Sequence, residues 1–582
     1  MAAPLKTSEP HPAPPRFWVG LLVASAGWLA YILSLELLNP RLVPSWHGFL
    51  HTAIVRRFPS PSLIPENPFF AGEPLKYYWF FHWMGSGVSR TLGVDPLTAL
   101  RFLALAGLVL LTLAAGLVGR RVYGSLGAGL LIGVFALAGA NPLGPAIAVG
   151  RHLVQHRQLL ERTVHSAEIE TVHVSDDLAD SLMSRPLLPA MYLSADWRNG
   201  QNIVWFVDIS SRGLALGVMM LMLYFLLDSR AGPLSLAGTA VTSALLTALN
   251  PIVGLAACFL LAGSVAAVWL LHRWRGGEPG PITPTIMRSA ALVIGAVAAL
   301  PTYYHLFGQG GSGRISPVDL LALKLVVIAA NFLILLPLTA LGLKSVRGAA
   351  APGLQAVALA GVLLLGLVPL IQLEKGNEHN LANAAYVLLA VPAVAWLVRD
   401  INGSIRPFQA QRSRLLIAAL VCLPMTVGTW IAFHGRPALP FLAHAGVLQR
   451  TPETDPIAQL YRWIGRNTGR DAVFVVDPSD VVKMSGNVSE LPAFTGRAIF
   501  TDQPSYMTTP YPDADRRNAI SGKLVRGEEL TVDEAGYVHG LGRPLYVITW
   551  HADDSGLLER LRGRYGSPAF SAGFVAVFGL RP

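Results

Sequence analysis

The sequence predicts a polytopic α-helical membrane protein, a bundle of about 11–13 transmembrane helices, closed by a C-terminal extracytoplasmic α/β domain. Three observations predict it. The chain is 52% hydrophobic and only 14% charged, with a mean hydropathy of +0.47, whereas soluble domains carry about 25% charged residues. Apolar runs long enough to span a bilayer recur up to residue 433. After residue 434 the apolar runs shorten to strand length and alternate with helical patterns.

A span takes about 20 apolar residues, which selects 17–38, 98–119, 122–140, 213–229, 233–250, 252–271, 289–307, 318–343, 352–372, 381–398 and 415–433. Residues 1–16 hold five prolines with Lys6 and Arg16 and read as a disordered cytoplasmic tail. The run after them is too long for a signal peptide and lacks a small-residue cleavage site, so it is a retained first crossing. Loops carrying Arg273, Arg275 and Arg288, then Lys344 and Arg347, then Arg399, Arg406, Arg412 and Arg414 are each separated by two crossings. The positive-inside rule puts them all in the cytoplasm. Two topologies then satisfy parity. Either 77–95 does not cross, giving 11 spans, or it crosses and a short helix near 143–160 restores the count. Both put the N-terminus inside a bacterial cytoplasmic (inner) membrane. Both leave outer loops 39–97 and 141–212 of the 17–433 membrane domain, and residues 434–582, outside.

The net charge of +10 does not form a phosphate-binding stripe. Its lysines and arginines lie mostly in short loops, a topology signal, which excludes nucleic acid as a partner. Cys258 and Cys422 both fall in apolar runs and read as packing residues. In the last 149 residues, short apolar runs at 472–476, 497–500, 546–549 and 574–578 read as buried strands. Helical patterns at 456–467, 513–526 and 556–565 lie between them, the alternation of a small α/β domain.

Three polar groups collect on the outer face. The first is His47, His51, Glu66, Asn67, Glu73, Lys76, Tyr77, Tyr78 and His82. If 45–57 is helical, His47 and His51 share a face and with Glu66 form a metal site or supply a base. As plain interfacial anchors they need no chemistry. The second is Asp196, Trp197, Asn202, Trp205, Asp208 and Arg212, in which Asp208 and Arg212 form either a functional pair or a helix-spaced ion pair. The third is the run 374–380, with Lys375 suited to a phosphate and Glu378 to a sugar hydroxyl or a metal. A turn needs only its glycine and one asparagine. The histidine- and acid-rich run 152–177 lacks tight ligand spacing and reads as a solvated loop.

The run Pro65-Glu-Asn-Pro-Phe-Phe-Ala-Gly-Glu-Pro-Leu-Lys-Tyr-Tyr-Trp-Phe-Phe-His82 resembles the first outer loop of GT-C superfamily glycosyltransferases. The bacterial and archaeal subgroup with a "YYY" signature and protein mannosyltransferase-like enzymes are similar. Asn250-Pro251, the Asn377-Glu378-His379 loop and the closing α/β domain follow in the same order. The resemblance implies transfer of a sugar from a polyprenyl-phosphate donor to an extracytoplasmic glycan, lipid or protein acceptor, usually with inversion. Such a reaction needs a base for the acceptor hydroxyl and cations or a metal for the departing phosphate. On this reading His47, His51, Glu66 and Asp208 are the catalytic candidates. Arg56, Arg57, Lys76, Tyr77, Tyr78 and Lys375 face the donor phosphate, and Asn67, His82, Asn377, Glu378 and His379 contact substrate. A divalent cation (Mg or Mn) is the one cofactor the resemblance leaves open.

The chain departs from the family at one point. Where GT-C enzymes usually carry an aspartate, His47 stands, and residues 39–76 contain no aspartate at all. This keeps a second function in view, a non-catalytic GT-C-fold subunit that binds a lipid-linked sugar or a partner enzyme. A transporter would show charges deep within its spans and related halves. Lys324 is the clearest such charge here and no halves are evident.

Overall fold

In a computed structural model, the described residues are 14–38, 48–58, 64–138, 202–228 apart from 208, 231–275, 282–306, 314–315, 331–346, 351–373, 378–398, 455–477, 483–484, 488–502, 511 and 513–580. Isolated positions between 321 and 329 complete the set. The membrane domain contains α1 (Pro15–Leu38), α2 (Gly48–Arg56), α3 (Phe80–Leu92), α4 (Pro96–Tyr123), α5 (Leu126–Ala138), α6 (Ser211–Leu226) and α7 (Pro233–Leu249). It continues with α8 (Pro251–Trp274), α9 (Ile282–Ala298), α10 (Leu335–Ser345), α11 (Ala351–Leu370) and α12 (His379–Val398). The first span, α1, turns Val19, Leu22 and Val23 outward, as a lipid-facing helix does. By contrast α12 is buried along nearly its whole length, the signature of a central helix. There α10 passes so close that a Cβ on Gly342 would overlap the Pro392 carbonyl oxygen.

Helix ends follow local chemistry. The Asp95 carboxylate accepts from the Leu97 and Thr98 amides ahead of Pro96, starting α4, and Gly124 ends it with φ near 66°. Asn250 caps α8 by accepting from the Val253 amide. One expectation is corrected. The span set at 289–307 is instead Ile282–Ala298, followed by a 3-10 turn at Leu300–Leu306, because Pro301 cannot continue the α-helical hydrogen bonding. The ambiguous segment 77–95 contains α3, 13 residues long, a length of about 20 Å at 1.5 Å per residue. Among the described residues, six apolar helical stretches of at least 20 residues (Ile282–Tyr303, which runs through the 3-10 turn, among them) and four shorter apolar helices overlap expected spans. The remaining expected span, 415–433, lies outside the described residues.

The C-terminal domain carries α13 (Pro456–Asn467), β1 (Val473–Val475), α14 (Leu491–Thr495), β2 (Ala498–Ile499), α15 (Ala514–Arg526) and α16 (Val532–His539). It ends with β3 (Leu545–Thr549), α17 (Ser555–Tyr565), β4 (Phe570–Ala572) and β5 (Val575–Leu580). The sheet order is β2-β1-β3-β5-β4. β1 runs parallel to both neighbours, pairing Val473 with Ala498 and Phe474 with Tyr546, while β5 is antiparallel to β3, pairing Ile548 with Val577. Alternating residues of these strands feed two cores, one around Phe474 and Ile548 and one around Val473 and Val547.

Candidate functional site

The loop between α2 and α3 (loop one) folds back on itself before it enters α3. Glu66 and Pro74 form an isolated antiparallel bridge, and Gly72 makes the turn at φ 85°, a conformation that costs glycine nothing. The Asn67 side chain fixes the loop from within, its Oδ1 accepting from the Phe69 amide.

At the end of this loop lies a buried aromatic cluster. His51 on α2 and His82 on α3 meet with Nδ1 and Nε2 2.6 Å apart, and both are at most 1% exposed. Tyr77 stacks on Tyr78 with centroids 4.0 Å apart, and their hydroxyls are hydrogen-bonded at 2.7 Å. The Tyr77 ring lies about 6 Å from both histidines. Burial lowers the His82 pKa to about 3, against the backbone carbonyls of Trp79 and Tyr78 that favour its charged form. The His82 imidazole is therefore neutral at ordinary pH, and the contact holds a single N–H between the two rings. This is the arrangement of a base whose orientation is fixed by its partner.

The second and third polar groups meet elsewhere. Glu378 pairs with Lys324 at 2.6 Å, both buried, and its other oxygen accepts from the Leu373 amide. Next to it His379 stacks on Trp205 at 5.7 Å, and the Arg212 guanidinium lies 4.0 Å from the Trp205 ring centroid. Asn202 donates to the carbonyls of Ala136 and Asn383, tying the segment before α6 to α12.

Other candidates are placed differently from their assigned roles. Arg56 and Arg57, assigned to the donor phosphate, donate instead to the carbonyls of Ala493, within α14, and of Gly496, its C-cap. Glu66, assigned to catalysis or metal, is held by Arg57 and by Arg543 of the C-terminal domain. Burial, together with Arg543, Arg470 and Arg497, pushes Arg57 down to about 10. Asn67 donates to the Tyr511 hydroxyl at 2.8 Å, and the Lys76 ammonium lies 4.5 Å from the Tyr511 ring centroid. Glu378, assigned to substrate, is engaged by Lys324. His47, Asp208, Lys375 and Asn377 lie outside the described residues. Among the described residues no three His, Cys, Asp or Glu side chains gather as a metal site.

Sequence reasoning missed Tyr511 and Arg543, both in the C-terminal domain. One signal pointed to them: the loop's backbone N–H and C=O groups, broken by three prolines, need partners from outside the loop.

A family model described as "Uncharacterized membrane protein (DUF2298)" matches residues 18–215. No curated protein matches the chain. Among solved structures, ArnT from Cupriavidus metallidurans bound to undecaprenyl phosphate is similar at 13% identity and a TM-score of 0.51, over 97% of this chain and 98% of that one. The arabinofuranosyltransferase AftD from Mycobacteria is 15% identical with a TM-score of 0.48, over 98% of this chain but 40% of its own length. The Archaeoglobus fulgidus oligosaccharyltransferase is 12% identical with a TM-score of 0.42, over 94% of this chain and 71% of its own. End-to-end likeness to ArnT, ten apolar helices and the domain that closes over loop one together identify the architecture: the chain is a polytopic membrane protein with the GT-C fold.

Proposed function

We propose that the chain is a membrane glycosyltransferase of the cytoplasmic membrane. It takes a sugar from a polyprenyl-phosphate donor and transfers it to an acceptor on the outer face. One observation carries the reading: a buried, hydrogen-bonded histidine pair beside the Tyr77–Tyr78 stack, at the end of a loop whose residues resemble the GT-C first loop. The end-to-end fold likeness to an ArnT structure bound to undecaprenyl phosphate supports the donor class.

In this reaction the acceptor oxygen attacks the anomeric carbon and the bond from that carbon to the phosphate oxygen breaks. The polyprenyl phosphate leaves with the bonding electrons. A histidine, His47 or His51, takes the acceptor proton, with His82 fixing the tautomer of His51. Lys76 and Lys375 are the cations proposed for the leaving phosphate, and Asn377 and His379 contact the sugar or the acceptor. Arg56 and Arg57 are left out of this role, since both hold the C-terminal domain. A divalent cation fits the described residues poorly, because His51 Nδ1 faces His82 and two arginines hold Glu66. No step is assigned to one.

The test is transfer by purified protein from polyprenyl-phosphate sugars, with His47→Ala and His51→Ala alongside. Wild-type transfer, lost at least about a hundredfold in one of these variants, is the expected result. Wild-type protein that neither binds the polyprenyl phosphate nor transfers sugar from it, with cell glycans unaltered by His47→Ala, overturns the proposal. Binding without transfer favours the non-catalytic subunit, which the missing first-loop aspartate motivates.

A further inference from the structure

His51 sits on a nine-residue helix, and the C-terminal domain holds that helix and the loop after it in place. Phe69 and Pro68 accept from the Asp502 and Ile499 amides, and Ala71 donates to the Ile499 carbonyl, at 2.9–3.0 Å. Loop one thereby lies along β2, an edge strand of the sheet, and covers its open hydrogen-bonding side. Arg517 donates to the Ala71 carbonyl at 2.6 Å while its guanidinium lies over the Phe70 ring. The Tyr511 hydroxyl accepts from Asn67 and from the Lys76 amide and donates to the Pro74 carbonyl. On α2 itself, Phe49 packs on Phe494 at 5.1 Å, and Arg56 with the adjoining Arg57 holds the Ala493 and Gly496 carbonyls in the C-terminal half of α14.

The ion-pair chain closes this seam. Glu66 joins Arg57, the residue after α2, to Arg543, which enters β3. Arg543 also donates through Nε to the Asp471 carbonyl, so one guanidinium connects the base of the sheet to the loop and, through Glu66, to the end of α2. His51 lies about one and a half turns before Arg57, a rise of about 9 Å along a stiff helix. A shift of α2 by an ångström is enough to break a contact of 2.6 Å.

We propose that the C-terminal domain is the positioning element of the first outer loop. Within it, Arg543 is a positioning residue, acting on the His51–His82 pair through Glu66 and α2. The activity readout of this inference rests on the proposed glycosyl transfer; the geometric readout does not. Arg543→Gln removes the link, Arg543→Lys keeps the charge, and Arg497→Gln is the control. Arg497 is anchored as firmly within the domain, on the Gly465, Thr468 and Thr495 carbonyls, and touches no loop-one residue in those bonds.

The experiment follows carbethoxylation of His51 and His82 by diethyl pyrocarbonate, read by mass spectrometry on the full purified chain, with kcat, donor KM and thermal unfolding beside it. In Arg543→Gln the modification rate of His51 rises at least about tenfold and kcat falls ten- to about a hundredfold, with KM held within about twofold. Arg543→Lys recovers most of both. Arg497→Gln lowers the unfolding temperature and leaves the histidines protected. Equal modification of Arg497→Gln and Arg543→Gln, or wild-type protection in Arg543→Gln, overturns the inference. Wild-type protein without transfer activity overturns the proposed function alone, since the modification rates still decide the positioning.

Discussion

His51 Nδ1 and His82 Nε2, thirty-one positions apart in the chain, lie 2.6 Å from each other in a site closed to solvent. Two N–H groups cannot face each other at that distance, so the contact holds one proton and one lone pair. With the folded His82 pKa near 3 and an unfolded value near 6.5, the unfolded chain binds the extra proton first as pH falls. Stability is therefore complete above pH about 6.5 and is lost between there and about 3, at about 1.4 kcal/mol per pH unit. Equilibrium unfolding of wild type against His82→Gln at pH 7, 6 and 5 checks this, and the variant's curve is the flatter one.

Glu490 gives a pH dependence at the other end of the range. Its carbonyl receives the first amides of α14, its carboxyl group is fully buried, and burial raises its pKa to about 8 against the Tyr461 hydroxyl that lowers it. A raised acid pKa means the folded chain keeps a proton that the unfolded chain releases above its ordinary value. Stability then declines as pH rises from about 4.5 to about 8, by a total of about 3–5 kcal/mol. Glu490→Gln is expected to abolish that decline and to raise the unfolding temperature at pH 8. Thermal unfolding at pH 5 and pH 8 reads it directly.

Lys324 and Glu378 pair where both are nearly closed to solvent. Removing one partner strands a buried charge, which costs about 3–5 kcal/mol, whereas removing both is close to neutral. Thermal stability in detergent should therefore drop for Lys324→Met and for Glu378→Gln and recover substantially in the double variant. A double variant as unstable as the sum of the singles would show the two to be independent.

Tyr511→Phe deletes a hydroxyl that accepts from Asn67 and from the Lys76 amide and donates to Pro74. Leaving those buried groups unmet costs about 1–3 kcal/mol. Because all three belong to loop one, faster proteolytic cleavage within 64–79 is expected before any change in the membrane helices.

Much of the fold was legible because its elements are locally encoded. Asp95 before Pro96 begins a helix, and the run Pro456–Asn467 is helical with bounds matching its pattern. The strands at 472–476 and 546–549 lie within about two residues of their observed limits. The end of α9 was misplaced because hydropathy does not register that Pro301 interrupts the helix. The candidate site was legible in its residues and not in their partners. His51, His82, Tyr77 and Tyr78 could be named, since they crowd one loop. The use of Glu66 could not, because its partner Arg543 lies 477 positions away and no local pattern marks it. Glu378 likewise reads as a substrate contact, because nothing local marks Lys324, 54 positions earlier, as its partner.

The seam between Arg57 and Gly496, 439 positions apart, also sets an order of assembly. Loop one leaves the ribosome long before the strand that covers its backbone. At 5–20 residues per second that interval is roughly 20–90 s. During that time its amides and carbonyls have only water, lipid headgroups or a chaperone for partners. The histidine pair therefore matures last, after the C-terminal domain has been made and folded onto the loop. A chain truncated before β2 would build the helices and leave the loop unfinished.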